Sequence, residues 1–196
     1  MTHLLFSLLL WTAPAREPLV DAALRVPDLV VDLRYATADN FLKVAVYPPS
    51  ARCLLLESAA TRLAAAARSA KTRGYRLKVW DCYRPLSVQF AMWKVFPKVG
   101  YVADPNKGGS HHNRGAAVDL TLVSLDGAAV EMPTGYDSFT RAAHHWYSGG
   151  TAASLDHRAT LRAVMEAAGF TRNPMEWWHY ELPDAIAFPT RDDPFP

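Results

Sequence analysis

The chain has 196 residues, and its 21 Lys and Arg against 19 Asp and Glu give a net charge of +2. Hydrophobic residues make up 50% of the chain and charged residues 20%, which is the composition of an ordinary globular domain. So small a charge excludes a protein that tracks nucleic-acid phosphates, and no apolar run reaches the roughly 18 residues of a membrane span. The length predicts one domain with a sizeable core.

The N-terminal segment has features of an export signal. A short apolar run over residues 4–11 is followed by Ala13 and Ala15, small residues at the spacing that a signal peptidase accepts. We therefore predict a signal peptide over residues 1–15, a single domain over 16–196 and a periplasmic or secreted protein. The alternative is a packed or disordered N-terminal extension of a cytoplasmic protein, because no Lys or Arg precedes the run.

The rest of the chain mixes helix and strand signals without a repeating strand–helix order. The predicted elements are an extended segment 29–35, a helix 57–73 ended by Gly74, a strand 76–81, a helix from Pro85 to about 96, a Gly-rich loop 104–113, a strand 116–123, a helix 154–168 capped by Ser154 and Gly169, a short strand 177–181 and a Pro-rich tail from 183. This order favours an α+β fold with a single antiparallel sheet and helices packed on it.

One carboxylate lies where a charge is costly. Asp119 interrupts an apolar strand, so it must be paired or must bind a metal. His112 precedes it across a glycine-containing turn, and His179 lies in the aromatic strand. Two imidazoles and one carboxylate, with water in the fourth position, are typical of catalytic zinc. Glu176, in the loop before His179, is a candidate base for that water. On spacing alone, satisfied structural groups remain the alternative.

Four motifs add a family resemblance. Residues 110–119 read SxHxxGxAxD, residues 176–179 read EWWH, residues 32–37 read DLRYAT with Asn40 and Phe41 following, and residues 81–85 read DCYRP. The first two resemble the motifs of zinc D-Ala-D-Ala peptidases, whose zinc-site architecture is similar to that of the hedgehog signalling domain. All four together resemble D-alanyl-D-alanine dipeptidases of the VanX type, over residues from about 27 to 181.

The resemblance implies one Zn²⁺ per chain, held by His112, Asp119 and His179. It also implies that Glu176 is the general base and later the proton donor. The guanidinium of Arg84 would stabilise the oxyanion of the tetrahedral intermediate.

Four further residues match family positions around the substrate, namely Tyr35, Asp81, Ser110 and Asp137. Asp81 would orient the arginine or meet the substrate ammonium, or it is a turn residue. Asp137 would meet the ammonium or support a ligating histidine, or it is an ordinary loop residue. Tyr35 is alternatively core packing, and Ser110 a cap of the following turn.

The two cysteines and three further histidines have roles that the sequence alone does not fix. A disulfide between Cys53 and Cys82 would suit export and brace the arginine loop, whereas free thiols or a thiol ligand to zinc are the competing possibilities. His111 is predicted to be exposed, and His144 and His145 to be surface or packing residues.

The resemblance thus implies an enzyme, a metallopeptidase that hydrolyses the dipeptide D-Ala-D-Ala to two D-alanines in cell-wall peptide metabolism. Its partner would be this small D,D-dipeptide, with no nucleic acid involved, and the oligomeric state is left open. The alternatives are a D,D-carboxypeptidase or peptidoglycan endopeptidase with the same zinc site, and a non-catalytic binding module that retains zinc.

Overall fold

The computed structural model describes residues 17–26 and 28–196, and the predicted signal peptide over 1–15 lies outside them. The strands are β1 (Leu19–Asp21), β2 (Val30–Val31), β3 (Leu54–Leu56), β4 (Tyr75–Asp81), β5 (Ala117–Ser124), β6 (Thr171–Arg172) and β7 (His179–Glu181). The helices are α1 (Ala22–Arg25), α2 (Glu57–Thr72), α3 (Leu86–Val95) and α4 (Ala152–Ala167). Within the described residues, no helix has both the length and the apolar character needed to cross a membrane.

The predicted α+β class is confirmed, but the predicted single antiparallel sheet needs correction, because the described strands form two sheets and one pairing is parallel. Five strands form the main sheet in the order β2-β4-β5-β7-β6, and β1 and β3 form a separate antiparallel pair. The pairing of β2 with β4 is parallel, whereas the other pairs of the main sheet are antiparallel. Sequence patterns could not reveal this, because strand direction is set by contacts between distant segments.

Helix α2 forms because its small and apolar residues fall on one face. Ala59, Leu63, Ala66 and Ala70 recur at helical spacing and are all buried in the main core beside the sheet. The chain reverses at Gly74, whose φ of +86° lies in the left-handed region that favours glycine. The prediction for this helix was correct to within one residue at its end.

Three predicted elements need correction. Helix α4 begins at Ala152, not at Ser154, because Thr151 is the N-cap and its hydroxyl accepts a hydrogen bond from the Ser154 amide at 3.1 Å. The short strand predicted from 177 begins only at His179. The segment predicted as extended over 29–35 pairs only at Val30–Val31 and then forms a 3-10 turn at Arg34–Ala36.

The strand register places three polar residues side by side at one end of the sheet. Asp119 on β5 is opposite Asp81 on β4 and His179 on β7. The register of β4 shifts between Val79 and Asp81, a bulge that redirects side chains at this end. All three residues are buried, so the fold forms a buried polar site at this end of the sheet.

Candidate active site

Three side chains from separate segments converge at this end of the sheet. His112 lies in the 3-10 turn His111–Arg114, Asp119 lies on β5, and His179 opens β7. Nε2 of His112 is 3.2 Å from Oδ1 of Asp119 and 3.2 Å from Nδ1 of His179. Nδ1 of His179 is 3.0 Å from the same Oδ1. The three predicted metal ligands therefore meet in one buried cluster.

The outer hydrogen bonds show which atoms of this cluster carry lone pairs. Nδ1 of His112 donates to the carbonyl oxygen of Cys82 at 2.7 Å, because a carbonyl only accepts. Nε2 of His179 faces the carboxylate of Glu181 at 2.9 Å and donates to it. Neutral imidazoles in these tautomers turn two lone pairs toward the Asp119 oxygen. Three acceptors at such short separations are well placed to bind a cation between them.

The spacing of these atoms fits zinc. Ligands of a tetrahedral site with bonds of about 2.0–2.1 Å lie about 3.3–3.4 Å apart. The three ligand atoms lie 3.0–3.2 Å apart, slightly closer than this value, so only a small expansion would accommodate zinc. Two imidazoles and one carboxylate are a donor set of catalytic zinc sites, which keep an open position. His112, Asp119 and His179 are therefore a group that could hold a zinc ion.

Outer partners hold each ligand in place. Besides the Cys82 carbonyl and the Glu181 carboxylate, the hydroxyl of Tyr136 donates to Oδ2 of Asp119 at 2.9 Å. Such partners fix ring tautomers and ligand orientation, and they raise ligand basicity. None of them was identified from the sequence: Cys82 and Tyr136 contact their ligands from distant segments, whereas Glu181 lies only two residues after His179.

Glycine at the end of the first motif has a steric reason. Gly115 has a φ of +70°, and a Cβ there would lie 2.4 Å from Cδ2 of Leu19. Both features favour glycine at this position, from which the chain continues directly into β5. Ser110 caps the turn: its hydroxyl accepts from the His112 amide at 3.2 Å. Ser110 also lines the cavity over the metal site, so its predicted substrate contact remains available.

Glu176 lies in the loop before β7 and lines the same cavity as the metal ligands. Its carboxylate is buried, and the Nδ2 amide of Asn173 donates to Oε2 at 3.0 Å. Burial raises the pKa of Glu176 to about 8 in the metal-free chain. A carboxylate whose pKa lies near neutrality is suited to take a proton and to return it.

Arg84 is fixed by neighbours that leave part of its guanidinium free. Its Nε and Nη2 groups donate to Oδ2 of Asp81 at 3.0 and 2.5 Å, and Nη1 donates to Oε1 of Gln89 at 2.7 Å. Three of its five N–H groups are thereby occupied, and the side chain lines the cavity. Burial alone would lower the pKa of Arg84, but Asp81 and the neighbouring tyrosines together raise it well above its usual value, so the guanidinium remains charged. A fixed cation at the cavity wall can stabilise a developing anion.

Asp81 acts on the arginine and not on the cavity. It is fully buried, accepts hydrogen bonds from Arg84, and accepts another from the Tyr47 hydroxyl at 2.7 Å. It is absent from the described cavity lining, which favours the expected orienting role over contact with a substrate ammonium. The partners Tyr47 and Gln89 were not identified from the sequence.

Tyr35 and Asp137 form a second polar group in the cavity wall. The Tyr35 hydroxyl donates to Oδ2 of Asp137 at 3.1 Å, and its ring lies 5.2 Å from the Arg84 guanidinium carbon. Asp137 has a φ of +56°, which an aspartate adopts only occasionally. Burial raises its pKa to about 7. Asp137 hydrogen-bonds to Tyr35 and not to a ligating histidine. Of the functional roles predicted for it, this favours contact with the substrate ammonium over support of a histidine.

Cys53 and Cys82 form a disulfide, which decides between the predicted states of the cysteines. Sulfur atoms bonded to each other are not thiolate ligands, so a thiol contact with zinc is excluded for this state. Both residues are buried, and the backbone of Cys82 contacts His112 directly. The bridge therefore connects the residue before β3 to the loop that carries Arg84 and whose Cys82 carbonyl holds His112.

The remaining histidine predictions are partly correct. His144 and His145 are packing residues, with His144 buried and ring contacts to Trp146 and Tyr180 respectively. His111 differs from its predicted exposure, because its ring lines the cavity and hydrogen-bonds to Glu181. The prediction assumed that neighbours point away from each other, which holds in a strand but not in a 3-10 turn.

The cavity has a volume of about 240 Å³. This is below the range of about 300–1,000 Å³ typical of pockets for drug-sized ligands, so it suits a smaller molecule. Its lining includes the three candidate metal ligands, Glu176 and Arg84 together with aromatic rings such as Tyr35, Phe41 and Phe139. Polar groups thus converge on a small space with an apolar wall.

The comparisons with known proteins agree with this chemistry. Residues 16–196 match a family model described as D-Ala-D-Ala dipeptidase. The chain is similar to a D-alanyl-D-alanine dipeptidase of Escherichia coli, with 40% identity over 90% of this chain and 91% of the relative. It is 34% identical to a D-alanyl-D-alanine dipeptidase of Enterococcus faecium over 84% of this chain and 87% of that protein. It is also 36% identical to one of Enterococcus faecalis over 78% of this chain and 85% of that protein.

Proposed function

Since the chain belongs to the D-Ala-D-Ala dipeptidase family, we propose that it is a zinc metallopeptidase that hydrolyses D-Ala-D-Ala to two molecules of D-alanine. The observation that carries this proposal is the convergence of a two-histidine, one-carboxylate zinc site with Glu176 and Arg84 on one small cavity. A hydrolase needs a polarised carbonyl, an activated water and a stabilised oxyanion, and these groups supply all three.

Each residue has a distinct task in the proposed reaction. Zinc, when bound, polarises the scissile carbonyl and makes a water more acidic. Glu176 takes the proton of the attacking water and passes it to the leaving amine. The free N–H groups of Arg84 donate to the oxygen on which negative charge develops, while Asp81 keeps the guanidinium in place. The groups that stabilise the developing negative charge are therefore already in place before the reaction begins.

Recognition of a dipeptide requires that its terminal charges be met. The buried carboxylate of Asp137, held by Tyr35, is the proposed partner of the substrate ammonium. An ammonium bound there stabilises the ionised form of Asp137, because it forms an ion pair with a carboxylate that is shielded from water. A longer peptide would place an uncharged amide at this position and leave the carboxylate unpaired, which costs affinity. Ser110 borders the same space and contributes a polar contact to the substrate.

The experiment is D-alanine release by the purified, zinc-loaded protein from D-Ala-D-Ala and from a pentapeptide that ends in D-Ala-D-Ala. We expect turnover of the dipeptide and little or none of the pentapeptide. Asp137→Asn should raise KM for the dipeptide more than it lowers kcat. Efficient cleavage of the pentapeptide would instead assign the site to a carboxypeptidase, and zinc binding without any cleavage would indicate a binding module.

We further propose that the protein acts outside the cytoplasm on peptides released from the cell wall. The Cys53–Cys82 disulfide supports this, because such bonds persist in oxidising compartments. The apolar run at residues 4–11 supports it as an export signal. Fractionation of cells that express the full chain should place it outside the cytoplasm with an N-terminus near residue 16; a cytoplasmic protein with an intact N-terminus would contradict the proposal.

A further inference from the structure

The carboxylate of Glu181 lies between two imidazole rings at the edge of the zinc site. Its Oε2 atom is 2.9 Å from Nε2 of His179 and 2.7 Å from Nδ1 of His111. A carboxylate at neutral pH accepts only, so both rings donate to the same oxygen. His179 and Glu181 are two residues apart on β7 and therefore lie on the same face of the strand.

We propose that Glu181 and His111 are positioning residues that set the zinc affinity of the site, with His111 acting through Glu181. This inference rests on the zinc site of the proposed function. Glu181 accepts a hydrogen bond from the Nε2–H group of His179. This keeps the Nδ1 lone pair of that ring directed at Asp119 and the metal position. A carboxylate in this place also raises the basicity of the ligating nitrogen.

His111 has a reason to be needed for this task. The Glu181 side chain is 24% exposed, so without a second contact its carboxylate is free to turn toward solvent. The hydrogen bond from His111 holds the carboxylate against the His179 ring. His111 directly precedes the ligand His112, so this bond also links the turn that carries one histidine ligand to the strand that carries the other.

The test is a zinc dissociation constant, measured on metal-free protein by competition with a chromogenic chelator. We expect Glu181→Ala to weaken zinc binding about 10- to 100-fold, the range found for outer partners of metal ligands. Glu181→Gln keeps an acceptor for His179 and should fall between the wild type and the alanine variant. Glu166→Gln is the matched control, because Glu166 is paired with Arg172 away from the cavity and should leave zinc binding unchanged.

A double-mutant cycle tests the order of action. His111→Ala alone should weaken zinc binding several-fold, and it should have no added effect in a chain that already carries Glu181→Ala. An undiminished effect of His111→Ala in that background would overturn the claim that it acts through Glu181. Zinc binding by Glu181→Ala within twofold of the wild type would overturn the proposal as a whole.

Two readouts separate this role from a general loss of structure and from failure of the proposed function. Thermal melts of the metal-free variants report folding, and the visible spectrum of the Co²⁺-substituted protein reports ligand geometry. We expect the Co²⁺ bands of Glu181→Ala to change although the metal-free protein remains folded. The measurement needs no substrate: tight zinc binding without dipeptide cleavage refutes the proposed function alone. Unchanged zinc binding in a variant of an active enzyme refutes this inference alone.

Discussion

Replacing Asp81 with asparagine should remove the support of Arg84 with little change in side-chain volume. One oxygen of Asp81 accepts from the Tyr47 hydroxyl and the Cys82 amide, and the other accepts from two N–H groups of Arg84. An asparagine offers one acceptor and one donor, so either orientation of its amide opposes donors and loses two hydrogen bonds. The buried guanidinium also loses its counter-charge.

The expected loss is about 3–5 kcal/mol of unfolding free energy, the range for breaking a buried ion pair by removing one partner. Urea unfolding at pH 7 and constant zinc concentration measures it. Asp32→Asn is the control, because Asp32 pairs with Lys78 at 2.7 Å but is 32% exposed and should lose no more than about 1 kcal/mol. If Asp81→Asn were no more destabilising than this control, the assignment of Asp81 as the support of Arg84 would be wrong.

Three other changes test separate parts of the site. Replacing Cys53 and Cys82 with alanine opens a loop with a sequence separation of 29 residues and should cost about 3–4 kcal/mol in denaturant unfolding; a loss below about 1 kcal/mol would contradict this. Arg84→Lys should lower kcat about 10²- to 10³-fold, because an ammonium cannot hold Asp81 and Gln89 and still face the cavity; unchanged kcat would remove the oxyanion role. In metal-free protein, burial raises the pKa of Glu176 from 4.5 to about 8. Between pH 4.5 and about 8 the folded chain therefore holds a proton at Glu176 that the unfolded chain releases. As the pH rises through this range, the unfolding free energy of the wild type should fall by up to about 1.4 kcal/mol per pH unit relative to Glu176→Gln. Parallel unfolding curves of the two metal-free proteins at pH 5 to 9 measure this difference, and an equal pH dependence would contradict the prediction.

The zinc ligands could be predicted from the sequence because the strand pattern makes Asp119 anomalous. A carboxylate in the apolar strand β5 requires a partner, the sequence offered His112 and His179 as candidates, and the motif resemblance then favoured them as ligands over structural roles. The helices α2 and α3 were predictable for a related reason, since the Ala-rich run before Gly74 and Pro85 at the start of α3 are local signals. In these cases the information lies within a few residues of the feature it predicts.

The support around the site could not be predicted in this way. Tyr47 and Tyr136 each contact a site residue from a distant segment, and the contact of Gln89 with Arg84 depends on how α3 begins after the arginine loop. The parallel pairing of β2 is of the same kind. His111 was predicted to be exposed because a strand rule was applied to a residue that lies in a 3-10 turn.

The central claim is that the chain is a zinc peptidase in which Glu176 is the proton carrier and His112, Asp119 and His179 hold the metal. The most direct test measures zinc content and D-alanine release from D-Ala-D-Ala on the same samples of wild type and Glu176→Gln. We predict one zinc per chain in both proteins, turnover in the wild type, and a loss of kcat of at least about 10²-fold in the variant. A zinc-replete variant that still releases D-alanine at the wild-type rate would contradict the account.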